Sequence, residues 1–208
     1  MRKLLLFSFL FCFVLTAHAQ LKYNVYARAG FNINRLNSTL QGDTTTYRSG
    51  AGPHFGIAMD FKVDDRLYFQ PEFLISRKLV KSQDDFVRAR YSATYFDIPL
   101  LLRYHLSPDF SFIGGLQISL LAGGNQEKNI ELPGGSPRFV EEKITDFSGS
   151  DVAFLVGFDV RLDNEFHLGL RVGTSSGDVT VNDTKTVRMN MIQLSFAYLW
   201  KKWEAPQD

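Results

Sequence analysis

The sequence predicts an all-β fold, an eight-stranded antiparallel up-and-down transmembrane β-barrel. Three observations predict it: apolar and polar residues alternate along eight stretches, short turns alternate with long polar connections, and one face of the strands carries no charge. The chain has 208 residues, a length that suits one domain. No comparable stretch has a convincing 3.6-residue apolar period, so we expect almost no helix.

The clearest repeating unit is the hairpin over residues 151–173. Apolar side chains occupy every second position of residues 152–162, and the alternation resumes over residues 166–172 after the turn at Asp163-Asn164. Because side chains on a strand alternate between two faces, this hairpin has one apolar and one polar side. The rest of the chain contains similar units, and the predicted strands cover residues 23–34, 53–63, 67–77, 91–104, 110–121, 151–162, 165–173 and 187–200.

The connections between these strands alternate in length. Residues 64–66, 105–109 and 163–164 are short turns, whereas residues 35–52, 78–90, 122–150 and 174–186 are long and polar. Turns at one end and long loops at the other are typical of barrels inserted in an outer membrane. A soluble antiparallel sandwich, the alternative, has no such alternation of loop length.

The apolar face of the predicted strands contains about 44 positions and no charged residue, although 22% of the chain is charged and chance would place roughly nine charges there. A Lys or Arg facing lipid at mid-bilayer costs about 2–4 kcal/mol, which explains the exclusion. A soluble lipocalin-like barrel would turn this face inward. The interior of an eight-stranded barrel is too small for so many bulky side chains, so we expect the apolar face to contact lipid.

The polar face then lines the lumen, and its charges have both signs. Unpaired charges are costly in a narrow interior of low dielectric, so we expect these groups to pair with one another. Because eight strands leave no aqueous channel, the sequence favours a plugged lumen over a proton or ion path. The predicted lumen charge network consists of Arg28, Asp60, Lys62, Glu72, Asp97, Arg103, Asp159, Arg161 and Arg171, and Asp151 lies on the same face.

Aromatic residues collect near the short turns and predict a girdle at the periplasmic membrane boundary. The girdle consists of Tyr104, Phe110, Phe166, Tyr198 and Trp200. The last strand resembles the aromatic terminal signal that the barrel-assembly machinery reads, although residues 201–208 extend past it. Pro71 and Pro99 lie inside predicted strands, where each removes a ladder hydrogen bond and predicts a local bulge.

The first 19 residues have the order of a secretory signal peptide. Arg2 and Lys3 precede an apolar run and then Ala17-His18-Ala19, so the predicted barrel domain covers residues 20–208. A membrane-anchoring helix would need about 20 apolar residues, more than this run contains. Cys12 is the only cysteine and lies in the signal, so the exported chain is expected to fold without disulfides.

The sequence contains no recognisable catalytic, cofactor or metal site. Its mature histidines, His54, His105 and His167, lack the spacing of metal ligands, and no glycine pair has the context of a phosphate-binding loop. Removing Arg2 and Lys3 from the 23 basic residues leaves a near balance with the 22 acidic ones, which gives no support for nucleic-acid binding. We therefore predict a protein that is not an enzyme.

Three segments resemble the small outer-membrane barrels of Bacteroidetes-type bacteria, the PorT-like or outer membrane protein beta-barrel domain family. They are AGFN at residues 29–32, GPHFG at residues 52–56 and YFDIPLLLRY at residues 95–104, the last being the most specific. The resemblance covers essentially the whole mature chain and implies an eight-stranded barrel located in the outer membrane. The founding member is linked to secretion of surface proteins.

Three functional hypotheses follow. The first is a structural or surface-interaction barrel that acts through long extracellular loops, because a connection of about 28 residues is usually kept for function or disorder. The second, implied by the resemblance, is an accessory role in protein secretion or transport. The third is a lipid-modifying barrel enzyme. Expected partners are outer-membrane lipids and lipopolysaccharide, the barrel-assembly machinery during insertion, and an unknown secretion or surface protein.

Overall fold

The protein is described from a computed structural model covering residues 23–40, 43–46, 48–83, 87–130, 138–143, 149–176 and 186–203. The predicted signal peptide lies outside these residues. Among them, no helix is long and apolar enough to cross a membrane. The strands are β1 (Tyr23–Leu40), β2 (Asp43–Thr46), β3 (Arg48–Lys62), β4 (Leu67–Gln83), β5 (Val87–His105), β6 (Phe110–Ile130), β7 (Arg138–Lys143), β8 (Ser150–Arg161), β9 (Phe166–Ser175) and β10 (Thr186–Trp203).

Eight of these strands close into an antiparallel barrel, which confirms the predicted fold. Sequential neighbours pair in the order β1, β3, β4, β5, β6, β8, β9 and β10, and β10 pairs back onto β1 from Tyr23 opposite Trp203 to Thr39 opposite Thr186. The two short strands lie outside this ring: β2 pairs with β1, and β7 pairs with β6. Closure leaves the eight-stranded ring without a free edge.

Several strands are longer than the alternation predicts. Residues 35–40, 78–83, 87–90 and 122–130, all expected in long loops, are strand, and the ladder between β4 and β5 continues to Gln83 opposite Arg88. Backbone groups form this ladder whatever the polarity of the side chains. The predicted boundaries therefore mark the end of the apolar face and not the end of the strands.

The short turns close three hairpins by backbone hydrogen bonds. The amides of Val63, Leu106 and Leu162 donate to carbonyl oxygens across the turn at 2.9, 3.0 and 2.8 Å. In the third turn, the carboxylate of Asp163 also accepts from the amides of Glu165 and Phe166, both at 2.8 Å. These three turns lie at the same end of the barrel, called here the short-turn end; the opposite end is the long-loop end.

The two prolines interrupt the ladder without producing the predicted bulges. The ladder between β4 and β5 skips Glu72, which lies opposite Pro99, and the next residue, Phe73, and then resumes in the same register. The ladder between β3 and β4 is interrupted in the same way at Pro71. Proline removes a donor, but its backbone conformation remains compatible with a strand, so pairing resumes. The prediction of bulges at these residues is therefore wrong. Register shifts occur instead at Val25/Tyr26, Ser49/His54 and Thr94/Tyr95.

The apolar face lies on the outside of the barrel, as predicted. Along β8, exposed and buried residues alternate from Ser150 to Val160, so that Phe154 is 57% exposed whereas Asp159 is 1% exposed. The interior combines polar groups with small apolar clusters. One cluster, near the long-loop end, contains Leu36, Val80 and Met189. Charged side chains thus lie in the space where a soluble protein has its apolar core.

Candidate functional site in the barrel lumen

Glu72 lies at the centre of a buried charge network. Its carboxylate accepts two hydrogen bonds from the guanidinium of Arg171, from Nη1 to Oε2 and from Nη2 to Oε1, both at 2.8 Å. Arg28 approaches the same carboxylate, with 3.4 Å between Nε and Oε1. The two parallel hydrogen bonds from Arg171 are of a kind that is among the strongest in proteins. Glu72 therefore links strands β1, β4 and β9.

The network continues through Asp159 to Arg103 and Asp60. Arg28 Nη2 donates to Asp159 Oδ2 at 3.0 Å, and Arg103 Nη2 donates to the same oxygen. Arg103 Nη1 donates to Asp60 Oδ2 at 2.6 Å. The charge network is defined here as Arg28, Asp60, Glu72, Arg103, Asp159 and Arg171.

This network has no net formal charge and is buried. Its three arginines balance its three carboxylates, and each of the six residues is at most 2% exposed. The six side chains come from six different strands and converge because all occupy inward positions. Since an unpaired buried charge is very costly, mutual neutralisation is the condition for placing six such groups together.

Glycines on the same face make room for these long side chains. A Cβ added to Gly169 would lie 2.3 Å from Asp159 Oδ1 and 3.1 Å from Arg28 Nη1. A Cβ on Gly157 would lie 2.8 Å from the Cα of Arg171. Gly157 and Gly169 therefore leave space that longer neighbouring residues occupy.

A second buried ion pair holds Asp97, which the sequence assigned to the main network. Its carboxylate lies 3.4 Å from Nζ of Lys78. Lys78 also donates to Ser119 Oγ at 3.0 Å and lies over the ring of Tyr95, 4.3 Å from its centroid. Sequence reasoning missed Lys78 because it placed this residue in a loop. Lys78 lies two residues after the inward-facing Ser76, so extending the alternation of β4 past its predicted end would have found it.

Two residues of the predicted network lie at the short-turn rim instead. Nζ of Lys62 donates to Asp65 at 2.9 Å, and Arg161 donates to Asp109 from Nε at 3.1 Å and from Nη2 at 3.0 Å. Both occupy strand ends, from which long side chains reach water. The Lys62 ammonium, through this hydrogen bond, lowers the pKa of the Asp65 carboxyl below its ordinary value. The predicted role of Lys62 and Arg161 in the lumen network is therefore corrected.

The histidines have ordinary packing roles. Nε2 of His54 lies 3.1 Å from Ser195 Oγ, and Nδ1 of His105 lies 2.8 Å from Ser111 Oγ. His167 packs edge-on against Tyr26. In the described part of the chain, no three His, Cys, Asp or Glu side chains are grouped so that they could hold a metal ion.

The aromatic residues expected to form a girdle lie at the short-turn end. Tyr104, Tyr198 and Trp200 are 42, 40 and 69% exposed. The ring of Phe166 stacks on Phe196 with centroids 5.2 Å apart, and Phe110 stacks on Phe158 at the same separation. These contacts join neighbouring strands on the outer surface.

Fold and surface together define the class of protein: an outer-membrane β-barrel with an apolar exterior. Residues 18–172 match the family described as outer membrane protein beta-barrel domain. The chain therefore belongs to this family. No curated protein sequence matches the chain at a significant level.

Three solved structures of bacterial proteins are similar to this chain. Ail, the attachment invasion locus protein of Yersinia pestis, solved in complex with the heparin analogue sucrose octasulfate, is 11% identical, with a TM-score of 0.50 over 85% of this chain and 97% of Ail. Neisserial surface protein A is 12% identical, with a TM-score of 0.48 over 85 and 97% of the two chains. OprG of Pseudomonas aeruginosa is 14% identical, with a TM-score of 0.42 over 86 and 96%. At 11% identity, the likeness to Ail shows the fold alone.

Proposed function

We propose that this protein is a structural or surface-interaction barrel with a plugged lumen. The observation that carries the proposal is the charge network, whose six side chains are buried, mutually paired and contributed by six strands. An ion crossing the lumen would have to separate these pairs and leave charges without partners, at a cost of several kcal/mol. A barrel with this lumen holds its loops in place but does not conduct ions.

In this proposal, the short-turn end faces the periplasm and the long-loop end faces the outside of the cell. The alternation of short and long connections supports that orientation, since barrels of this type have short periplasmic turns. At the long-loop end, β2 pairs with the end of β1, and β7 pairs with the end of β6. Contacts with molecules at the cell surface are assigned to this end.

Conductance measurements test the plugged lumen. The purified full-length protein, reconstituted in a planar lipid bilayer, should show no steady conductance. The double variant Glu72→Ala/Arg171→Ala removes one cation and one anion, so the remaining network stays neutral but loses two long side chains. We expect this variant to show conductance steps.

The rim pair provides the matched control. Lys62→Ala/Asp65→Ala also removes one cation and one anion, but from residues that lie outside the charge network. It should remain as silent as the wild type. A steady conductance of the wild-type protein would contradict the plugged lumen.

The resemblance to PorT-like proteins supports a second candidate, an accessory role in secretion. Its distinctive segment, residues 95–104, contributes Asp97 and Arg103 to the lumen and Leu100 and Leu102 to the outer wall. Deletion of the gene would then remove a protein from the cell surface. A lipid-modifying enzyme would instead alter lipid A or phospholipid on deletion, and a purely structural barrel would change neither.

A further inference from the structure

An open groove of about 560 Å³ lies on the outer wall of the barrel. Its floor crosses five adjacent strands, β3, β1, β10, β9 and β8. The register places its lining in two rows. Ile33, Ile192, Val172 and Val156 form the first row, and Arg35, Asn190, Thr174 and Phe154 form the second.

The second row lies two residues nearer the long-loop end on every strand, a displacement of about 7 Å along the strand. The first row is entirely aliphatic, and Ile33, Val172 and Ile192 are 46, 47 and 46% exposed. The row below it, which includes Phe31, Leu194 and Leu170, is apolar as well. The groove therefore spans the boundary between the apolar wall and the first polar row.

The chemistry of the groove changes along its length in the same way as that of a lipid. Aliphatic side chains line one end and suit an acyl chain. An exposed arginine, Arg35, lies at the other end, beside hydroxyl and amide groups from Ser49, Thr174 and Asn190. Among the described residues that line the groove, none is acidic and Arg35 is a cation, so the charge of this part of the lining is complementary to an anion. The guanidinium group matches a phosphate in geometry, and hydroxyl and amide groups match sugar hydroxyls.

We propose that this groove binds one molecule of a phosphorylated, acylated glycolipid, the lipid A part of lipopolysaccharide. One acyl chain lies along Val156, Val172 and Ile192, and Arg35 binds a phosphate group. The polar row contacts the sugar. The site rests on the proposed orientation, because this lipid belongs to the outer leaflet and the polar end of the groove points toward the long-loop end.

Native mass spectrometry of the full-length protein in detergent tests the site. The protein is titrated with bisphosphorylated lipid A and, in parallel, with phosphatidylglycerol. Lipid A should be retained at the lower concentration. Arg35→Gln should weaken its binding about tenfold, the change that corresponds to one charge-assisted hydrogen bond. Arg77→Gln is the matched control, because Arg77 is also exposed and outward-facing but lies on β4, outside the groove.

A second pair of variants tests the acyl end without changing charge. Val172→Trp fills the groove and should also weaken lipid A binding, whereas Leu120→Trp, which lies on β6 outside the groove and is 43% exposed, should have no effect. Both substitutions add an apolar side chain at a lipid-facing position, so neither is expected to prevent folding. Unchanged binding by Arg35→Gln and Val172→Trp would overturn the site. Equal retention of phosphatidylglycerol would overturn the choice of a glycolipid.

Orientation is measured separately. Gly149→Cys lies at the long-loop end with no heavy atom within 4 Å of its added Cβ, and the exported chain has no other cysteine if the signal is removed. A membrane-impermeant maleimide should label it in intact cells. Absence of labelling, with labelling restored after lysis, would overturn the orientation and with it the outer-leaflet lipid, while the conductance result would stand on its own.

Discussion

At the scale of single residues, Asp159 has the most demanding position in the lumen. It is 1% exposed and accepts hydrogen bonds from two arginines on different strands, Arg28 and Arg103. The two guanidinium groups compensate the charge of this buried carboxylate. Loss of this carboxylate would leave two guanidinium groups competing for Glu72 and Asp60.

Asp159→Leu should therefore destabilise the barrel strongly. We expect the free energy of unfolding to fall by about 3–5 kcal/mol, the range for breaking a buried ion pair on one side. Urea titration of the protein folded in lipid vesicles, followed by tryptophan fluorescence, measures the change. Asp109→Leu is the control, because Asp109 pairs with Arg161 at the rim with 71% of its side chain exposed. It should change stability by less than about 1 kcal/mol.

Equal stability of Asp159→Leu and the wild type would show that water reaches this side chain. That result would contradict the burial of the network as well as the size of the effect. It would also remove the physical reason for a plugged lumen.

The sequence located all six network residues as inward charges, but it could not pair them. Asp97 illustrates the limit, because parity places it inward whereas its partner Lys78 lies beyond the predicted end of a strand. Pairing depends on which strands face each other across the lumen. Closure of the ring decides which strands these are, and a local sequence pattern contains no information about closure.

At the scale of the element, the middle part of each outward strand face carries an uncharged, mostly apolar row. On β10 the row runs through Ile192, Leu194, Phe196 and Tyr198. Leu194 is 49% exposed and lies opposite Phe31 on β1 and Leu170 on β9. Neighbouring strands thus present apolar side chains at the same level, and Leu194 is surrounded on the outer surface by other apolar side chains.

A charge introduced in this row should have a depth-dependent cost. Leu194→Arg should lower the free energy of unfolding in vesicles by about 2–4 kcal/mol, as expected for arginine near the bilayer midplane. Val152→Arg is the matched control, since Val152 also faces outward but lies near the long-loop end of β8, where the cost falls to about 0–1 kcal/mol. Equal costs at the two positions would contradict the assignment of the membrane boundary.

The elements also show where alternation stops being informative. The predicted strands ended where the apolar row ended, whereas the backbone ladder of β6 continues to Ile130. Polar residues on both faces give no alternation to detect, yet their amides and carbonyls still pair. Pro71 and Pro99 show the converse, because a strong local signal left the register unchanged.

At the scale of the whole molecule, the pairing of β1 with β10 decides the character of the protein. It joins the two ends of the described chain over Tyr23–Leu40 and Thr186–Trp203 and completes a ring in which every strand has two neighbours. No strand of this ring can open without breaking two ladders. Denaturation should therefore have a high kinetic barrier.

The folded protein should resist SDS at room temperature. Outer membranes run unboiled and boiled on an SDS gel should give two mobilities for the wild type, because only heating opens the ring. Asp159→Leu should change mobility at a lower temperature than the wild type, whereas Asp109→Leu should not. A single mobility with and without boiling would contradict a closed, SDS-resistant barrel.

The sequence by itself determined the number of strands in the ring, their two faces and the end at which the short turns lie. These features follow from local alternation and turn chemistry, which each segment carries without its neighbours. Only the tertiary structure decided which charges pair, that Lys62 and Arg161 lie at the rim, and that a polar row at Arg35 meets an apolar groove across five strands. The physical reason is that these contacts join residues from distant parts of the chain, and only ring closure and the register between strands bring them together.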